Sequence, residues 1–327
     1  MHGDIVYIIC MNYARSLIYG CDHLHQSLAR LLSLWLDYGS RVASYTTKNS
    51  NSNTSNVSKE VIANMTQCLR KMNDLIQKFT EKVPPYYFLS VFPQLTSRIC
   101  HPHQDVWAIL RMILIKTFLQ YPHHVFWHMV AITKSVEPQR ASRCKEIFDS
   151  IKSKLNSTKH SNFIDDGLKL ADHLLEFCEK EKLPTGNLKL SDHMKTLVQL
   201  LSNIVKNNTE ILIPTTKNMT VMLSGSKGMS QTEANPFQNE KMVFMCGIED
   251  EFTVMKSLVR PKKITFKGSD GKFYSFLCKP KDDLRRDSRL LDFNNLLNKM
   301  FMKDPESRKR NLHITTYVSF CPSLARV

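Results

Sequence analysis

Apolar residues recur at helical spacing through the first half of the chain. Leu24, Leu28, Leu31, Leu32 and Trp35 fall on one face of a helix, and Val61, Met65, Cys68, Leu69, Met72, Leu75, Ile76 and Phe79 on one face of the next. Between them, residues 46–58 (TTKNSNSNTSNVS) carry almost no apolar side chains and are expected to form a solvated or disordered loop. Pro84 and Pro85 suit the opening of a further segment, because proline in a first turn gives up an N–H that has no helical partner anyway. Val106, Ile109, Leu110, Ile113, Leu114 and Phe118 form another stripe, which should stop at Tyr121, since a residue before proline disfavours the helical region. Periodic stretches over 124–133, 143–155 and 163–178 follow. A lone helical hairpin cannot bury all these faces, so the pattern predicts a stacked α-solenoid of helical repeats over residues 1–182.

After Pro184 the pattern changes. One more helix is expected over 191–205, then a strand-like phrase at 211–214, then an inter-domain linker within 215–239, where Gly225, Gly228 and Pro236 interrupt periodicity. Residues 263–267 (KITFK) and 272–278 (KFYSFLC) alternate with period two, and the Gly268-Ser269-Asp270-Gly271 between them predicts a hairpin turn, where positive φ costs glycine little. A helix is expected from Asp282, with Leu290, Phe293, Leu297 and Met300 on one face, and residues 313–318 (HITTYV) have the β-branched content of a third strand. The predicted fold is mainly α: helical repeats over 1–182, a helix and linker over 183–247, a small α+β unit over 248–318 and a tail over 319–327.

With 42% hydrophobic and 23% charged residues in 327, the chain is neither disordered throughout nor collagen-like. Its longest apolar run, 5–10, is far shorter than the roughly 20 residues a bilayer needs and lacks a signal-peptide context, so an intracellular chain without a membrane span is expected. Nine cysteines, odd in number and without a C-x-x-C pair, read as buried reduced thiols rather than a disulfide framework or a zinc site. The net charge is +15, and residues 260–313, with 15 basic and 7 acidic side chains, supply +8 of it. Such concentration calls for a polyanion, either a nucleotide polyphosphate or a nucleic acid. Phe273, Tyr274 and Phe276 could stack bases, but strand alternation turns at least two of them to the core.

Chemistry concentrates in residues 262–299. A glycine-flanked turn can offer backbone N–H groups to phosphate oxygens, and Lys279, closing the second strand, could reach the same phosphates. Asp282, Asp283 and Asp287 follow closely enough for one carboxylate to hold that ammonium in place. The glycine spacing matches neither G-x-x-x-x-G-K-[ST] nor G-x-G-x-x-G, so the residues alone leave the turn generic.

KGSDGK (267–272), CKPKDDLRRD (278–287) and PESRKRNLHITTY (305–317) resemble the amino-terminal kinase lobe of the phosphatidylinositol 3-kinase-related protein kinases, in particular the ATR-type checkpoint kinases. RLLSLWLDYG (30–39), SRIC (97–100), RCKEI (143–147) and ILIP (211–214) resemble the end of the helical FAT domain that precedes it. The resemblance implies a nuclear serine/threonine protein kinase of DNA-damage and replication-stress checkpoints, using Mg-ATP, with protein substrates, checkpoint adaptor proteins and DNA reached only through partners. It implies that Gly268, Ser269, Asp270, Gly271 and Lys272 form the phosphate-binding loop, and that Lys279 is the lysine neutralising the α- and β-phosphates. Asp287 then matches the carboxylate that orients Lys279, Asp282 lies toward the metal–phosphate end, and Asp283 reads as a helix N-terminal carboxylate. Asp292-Phe293-Asn294 spells the family's metal-binding triplet, but it lies within the apolar-periodic helix and is assigned to helix packing. The family's catalytic Asp with its neighbouring His and Asn, and its true metal-binding Asp, find no match in the chain. A partial kinase, inactive alone, is therefore expected, with a non-catalytic helical scaffold as the alternative.

Overall fold

A computed structural model of the chain describes residues 3–20, 23–51, 58–155, 159–214, 242–280 and 285–316. These divide into two compact units between Val125 and Phe126.

In the first unit α1 (Gly3–Tyr19), α2 (Leu24–Asn51) and α3 (Lys59–Lys82) pack on one another, and α6 (Gln104–Gln120) packs on α3 and on the short α4 (Tyr86–Ser90) and α5 (Phe92–Ser97). The apolar periodicity is the cause: α1 buries Val6, Cys10, Ala14 and Leu17, and α3 buries Ile62, Leu69, Met72, Ile76 and Phe79. Between α2 and α3, Trp35 Nε1 donates to Asn73 Oδ1 at 2.8 Å, so the polar atoms of two buried side chains satisfy each other. α6 buries residues around more than one side, among them Val106, Trp107, Leu110 and Ile113, as a helix with neighbours on several sides must. It ends at Gln120, and Pro122 opens α7 (Pro122–Thr133). The solvated loop expected over 46–58 begins later than the sequence suggested, because α2 continues to Asn51. Thr46 Oγ1 donates to Val42 O at 2.7 Å and Thr47 Oγ1 to Ala43 O at 2.9 Å, so this polar stretch is satisfied within the helix. Residues 52–57 of that loop lie outside the described residues.

In the second unit α8 (Pro138–Leu155) and α9 (Lys159–Glu179) pack together, with Phe126 of α7 4.9 Å from Phe163 and 6.4 Å from Phe148, ring centre to ring centre. The helix expected over 191–205 is broken at Met194 into α10 (Leu190–His193) and α11 (Lys195–Lys206). The strand-like phrase at 211–214 does pair: Leu212 bridges Phe244.

Five antiparallel strands form the sheet: β1 (Gly186–Lys189), β2 (Met245–Ile248), β3 (Glu251–Val254), β4 (Lys262–Gly268) and β5 (Phe273–Cys278). β2 and β3 lie end to end along one edge of β4, interrupted at Glu249 and Asp250, while β5 takes the other edge and β1 pairs with β3. Ile264 and Phe266 are buried on one face, and Tyr274 and Phe276 share it by register, with Phe266 and Phe276 5.7 Å apart. Phe252 of β3 packs edge-on against Phe177 of α9, and β2 lies against α11, so helices of the same unit cover the sheet. Sequence reading placed only β4 and β5; β1 falls within the stretch assigned to helix and linker.

α12 (Arg285–Lys303) and α13 (Pro305–Lys309) follow, the latter capped by Asp304, whose Oδ2 accepts from Ser307 N–H at 2.8 Å. The stripe expected on α12 is only partly buried, with Leu290 59%, Phe293 55% and Met300 58% exposed. The third strand expected over 313–318 does not form over 313–316. Instead Asn298 of α12 takes the place of a strand neighbour: its Nδ2 donates to Ile314 O, and its Oδ1 accepts from Ile314 N–H, both at 2.8 Å. Tyr317 and Val318 lie outside the described residues. Among the described cysteines all are free; Cys10, Cys68, Cys144 and Cys178 are buried, but Cys100 and Cys278 are half-buried and Cys246 is exposed, contrary to expectation. Among the described residues no helix is long and apolar enough to cross a membrane.

Candidate functional site

β4 and β5 pair from Lys262 opposite Cys278 to Lys267 opposite Phe273, leaving residues 268–272 as the turn. Gly271 has φ +77°, the left-handed region that glycine enters without a Cβ penalty. Gly268 is needed for a different reason: a Cβ there would lie 2.7 Å from both Val243 Cγ1 and Tyr274 Cε2. Ser269, Asp270, Gly271 and Lys272 are exposed, so nothing described covers the turn.

Four of the turn's five N–H groups already have acceptors within the protein. Gly268 N–H donates to Lys272 O at 2.8 Å, Gly271 N–H to Gly268 O at 2.9 Å, and Lys272 N–H to Asp270 Oδ1 at 3.1 Å. Ser269 is strapped to the segment that leads into β2: its N–H donates to Phe244 O at 2.9 Å, and its Oγ accepts from Phe244 N–H at 3.0 Å. Phe244 in turn bridges Leu212, whose carbonyl accepts from Trp127 Nε1 at 2.8 Å, so α7 sets the position of the serine. No pattern in the sequence marks Phe244 or Trp127 for this.

Asp270 Oδ2 accepts from the Tyr274 hydroxyl at 2.8 Å, with Lys272 Nζ 3.8 Å away. Against a desolvation that alone would raise it, the Tyr274 hydroxyl, the Lys272 N–H and the Lys272 ammonium hold the Asp270 carboxyl below its usual range. The carboxylate thus rigidifies the turn while partly neutralising its cation.

Lys279 directly follows β5 and is half-buried. The two-residue period of the strand assigns position 279 to the phase of Phe273, Ser275 and Leu277, all exposed, opposite the covered face. Lys263 and Lys267 of β4 are exposed and pair with Leu277 and Phe273, so this outer face combines ammonium groups with apolar surface. Asp282 and Asp283 lie outside the described residues. Asp287 falls in the first turn of α12, but its side chain lies outside the described ones, so its expected partnership with Lys279 is not placed. Asp292-Phe293-Asn294 does lie within α12, as expected, but Phe293 is exposed rather than packed. Among the described residues no group of three His, Cys, Asp or Glu side chains could hold a metal ion.

A family model for the HEAT repeats of ATR-like serine/threonine-protein kinases matches residues 71–171. The serine/threonine-protein kinase ATR of Drosophila melanogaster is 35% identical over 96% of the chain, and protein kinase rad3 of Schizosaccharomyces pombe 32% identical over 97%. The chain spans 12% and 13% of the length of these two relatives. Among solved structures, the open conformation of CtTel1 superposes with a TM-score of 0.72 at 18% identity, over 98% of this chain and 11% of that one. The FAT and kinase domain of CtTel1 superposes with a TM-score of 0.68 at 19% identity, over 98% of this chain and 20% of that one. The helical repeats, the small antiparallel sheet with its lysine-bearing hairpin, and this identity over nearly the whole chain make it a member of the ATR-type branch of the phosphatidylinositol 3-kinase-related protein kinases.

Proposed function

We propose that the chain is the helical-repeat and amino-terminal-lobe portion of a nuclear, ATP-dependent serine/threonine protein kinase of DNA-damage and replication-stress signalling. Its β4–β5 hairpin and Lys279 receive the phosphates of Mg-ATP, Asp287 orients Lys279, and Asp282 lies toward the metal. Protein substrates and checkpoint adaptor proteins are its partners, and DNA is reached through them. The observation that carries this reading is the exposed outer face of the hairpin, with Lys263, Lys267 and Lys272 beside the apolar Phe273 and Leu277. Phosphate oxygens suit the ammonium groups, and an adenine ring suits the apolar patch. For backbone contacts with phosphate, Ser269 would have to exchange its bonds to Phe244; the 77% exposed Lys272 side chain meets no such obstacle.

Phosphoryl transfer needs a hydroxyl-positioning Asp and a metal-holding Asp, which the resemblance does not locate in these residues. Binding without transfer is the expected behaviour of the chain alone. Titration with a fluorescent ATP analogue and Mg2+ should show binding that Lys279→Ala weakens about tenfold or more, roughly 1.4 kcal/mol or above. No labelled γ-phosphate should reach a Ser-Gln peptide. Equal affinity in the wild type and Lys279→Ala would favour the second reading, a non-catalytic helical scaffold, for which the four turn N–H groups already bonded within the protein speak.

A further inference from the structure

Trp127, Leu212, Phe244 and Ser269 form a continuous line from α7 to the turn, all within the second unit. Leu212 and Phe244 oppose each other as an antiparallel pair that exchanges no bonds of its own. On either side of it Ile213 N–H donates to Val243 O and Met245 N–H to Ile211 O, both at 2.8 Å. The N–H and C=O of Leu212 and of Phe244 therefore point away from each other's strand. Leu212 is fully buried, so its carbonyl needs a donor, and Trp127 Nε1 supplies one at 2.8 Å. On the far side Phe244 presents its N–H and C=O together, and Ser269 meets both, its Oγ taking the place of a backbone carbonyl.

We propose that this line positions the Ser269 hydroxyl as a donor to a nucleotide phosphate oxygen, with Trp127 as its distant positioning residue. A serine hydroxyl accepts through its lone pairs and donates its one proton, so the bond it accepts from Phe244 N–H leaves that proton available. Among the described residues none accepts it, and Ser269 is exposed. Four N–H groups of the turn are already bonded within the protein, so a hydroxyl held in place gives the turn a neutral donor that needs no bond broken first. This role for Trp127 rests on the nucleotide reading of the turn and adds to it the side chain that aims the serine.

The indole acts at the far end of the line from the turn. Trp127 is buried and its ring packs edge-on against Phe126, with ring centres 5.2 Å apart. Trp127→Phe thus keeps an aromatic ring on α7 and removes only the N–H. The Leu212 carbonyl then lacks its donor, the pairing of residues 211–213 with 243–245 is weakened, and Ser269 is held less firmly. A donor already fixed in place loses little freedom when a ligand arrives, so loosening it lowers affinity. Lys279, which follows the other end of β5, has no part in this line.

The test measures the affinity of a fluorescent ATP analogue with Mg2+ for the intact chain and for Trp127→Phe, Ser269→Ala, the double variant and Lys279→Ala. Trp127→Phe should weaken binding about fivefold, the loss expected for one hydrogen bond, and Ser269→Ala at least as much. In the Ser269→Ala background Trp127→Phe should then cost less than about twofold, since the donor it positions is gone. A general loosening of packing would cost the same in both backgrounds. Equal losses in the two backgrounds, or none in either, overturn the proposal, while weakened binding by Lys279→Ala leaves the nucleotide reading standing. A Lys279→Ala affinity equal to the wild type overturns that reading and the proposal with it. Should Trp127→Phe fail to fold, hydrogen exchange of the Phe244 amide in the wild type, followed by NMR, decides. A hydroxyl that donates to phosphate is a stronger acceptor, so bound nucleotide should slow that exchange about threefold or more; unchanged or faster exchange overturns the proposal.

Discussion

His101 is 3% exposed, and both its ring nitrogens are committed. Nδ1 accepts from His103 N–H at 3.1 Å, which leaves the proton on Nε2, 2.9 Å from Leu36 O and 3.2 Å from Ser40 Oγ. Burial lowers its pKa below 6.5, against the opposing backbone hydrogen bonds. The folded chain therefore keeps this ring neutral where the unfolded chain would take up a proton, so its stability contribution is present above pH 6.5 and is lost as pH falls from there through the folded pKa. The urea midpoint should drop between pH 7.5 and pH 5.5, and His101→Gln should show a smaller drop. The two lysines of the hairpin's open end teach a related lesson about single residues. Lys262 opens β4 and Lys279 directly follows β5, yet pairing with Cys278 turns Lys262 inward, and the alternation assigns position 279 to the opposite phase. Which lysine meets water depends on register, and register has no signature at a single position.

Among the elements, α9 is held close to α7 by Gly167. A Cβ there would come 2.3 Å from Phe126 Cζ, and Phe126 is fully buried against Phe148 and Phe163. Gly167→Ala gains up to about 1 kcal/mol of helix propensity but overpacks a fixed ring at about 1–3 kcal/mol. A net destabilisation of about 1–2 kcal/mol is expected in urea unfolding. On α12, Asn298→Ala removes both hydrogen bonds to Ile314, so the Ile314 amide should lose its hydrogen-exchange protection while protection in β4 and β5 stays unchanged. Helices α2, α3 and α6 were legible because their buried residues repeat every three or four positions. β1, β2 and β3 were not, because four residues are too few for alternation to stand out. The helical residues 46–51 were misread because polar composition hides hydroxyls that bond back to their own helix.

Across the second unit, the sheet depends on helices that precede it by many residues. Phe252 meets Phe177, Lys262 meets the Cys178 carbonyl, and β3 pairs with β1. A chain of residues 248–318, the predicted α+β unit by itself, lacks β1, α9 and α11, and should show no cooperative thermal transition by circular dichroism. A chain of residues 122–327 retains them and should unfold cooperatively. The sequence by itself determined the helical stripes, the hairpin with its Asp-Gly turn, the concentration of positive charge and the likeness to the ATR-type kinases, since all of these are carried by neighbouring or regularly spaced residues. Only the tertiary structure decided that Phe244 straps Ser269, that Asn298 replaces a strand neighbour for Ile314, and that Lys262 turns inward to the carbonyl of Cys178, 84 positions away. Contacts between distant residues are selected by packing and hydrogen-bond satisfaction, which impose no period on the chain.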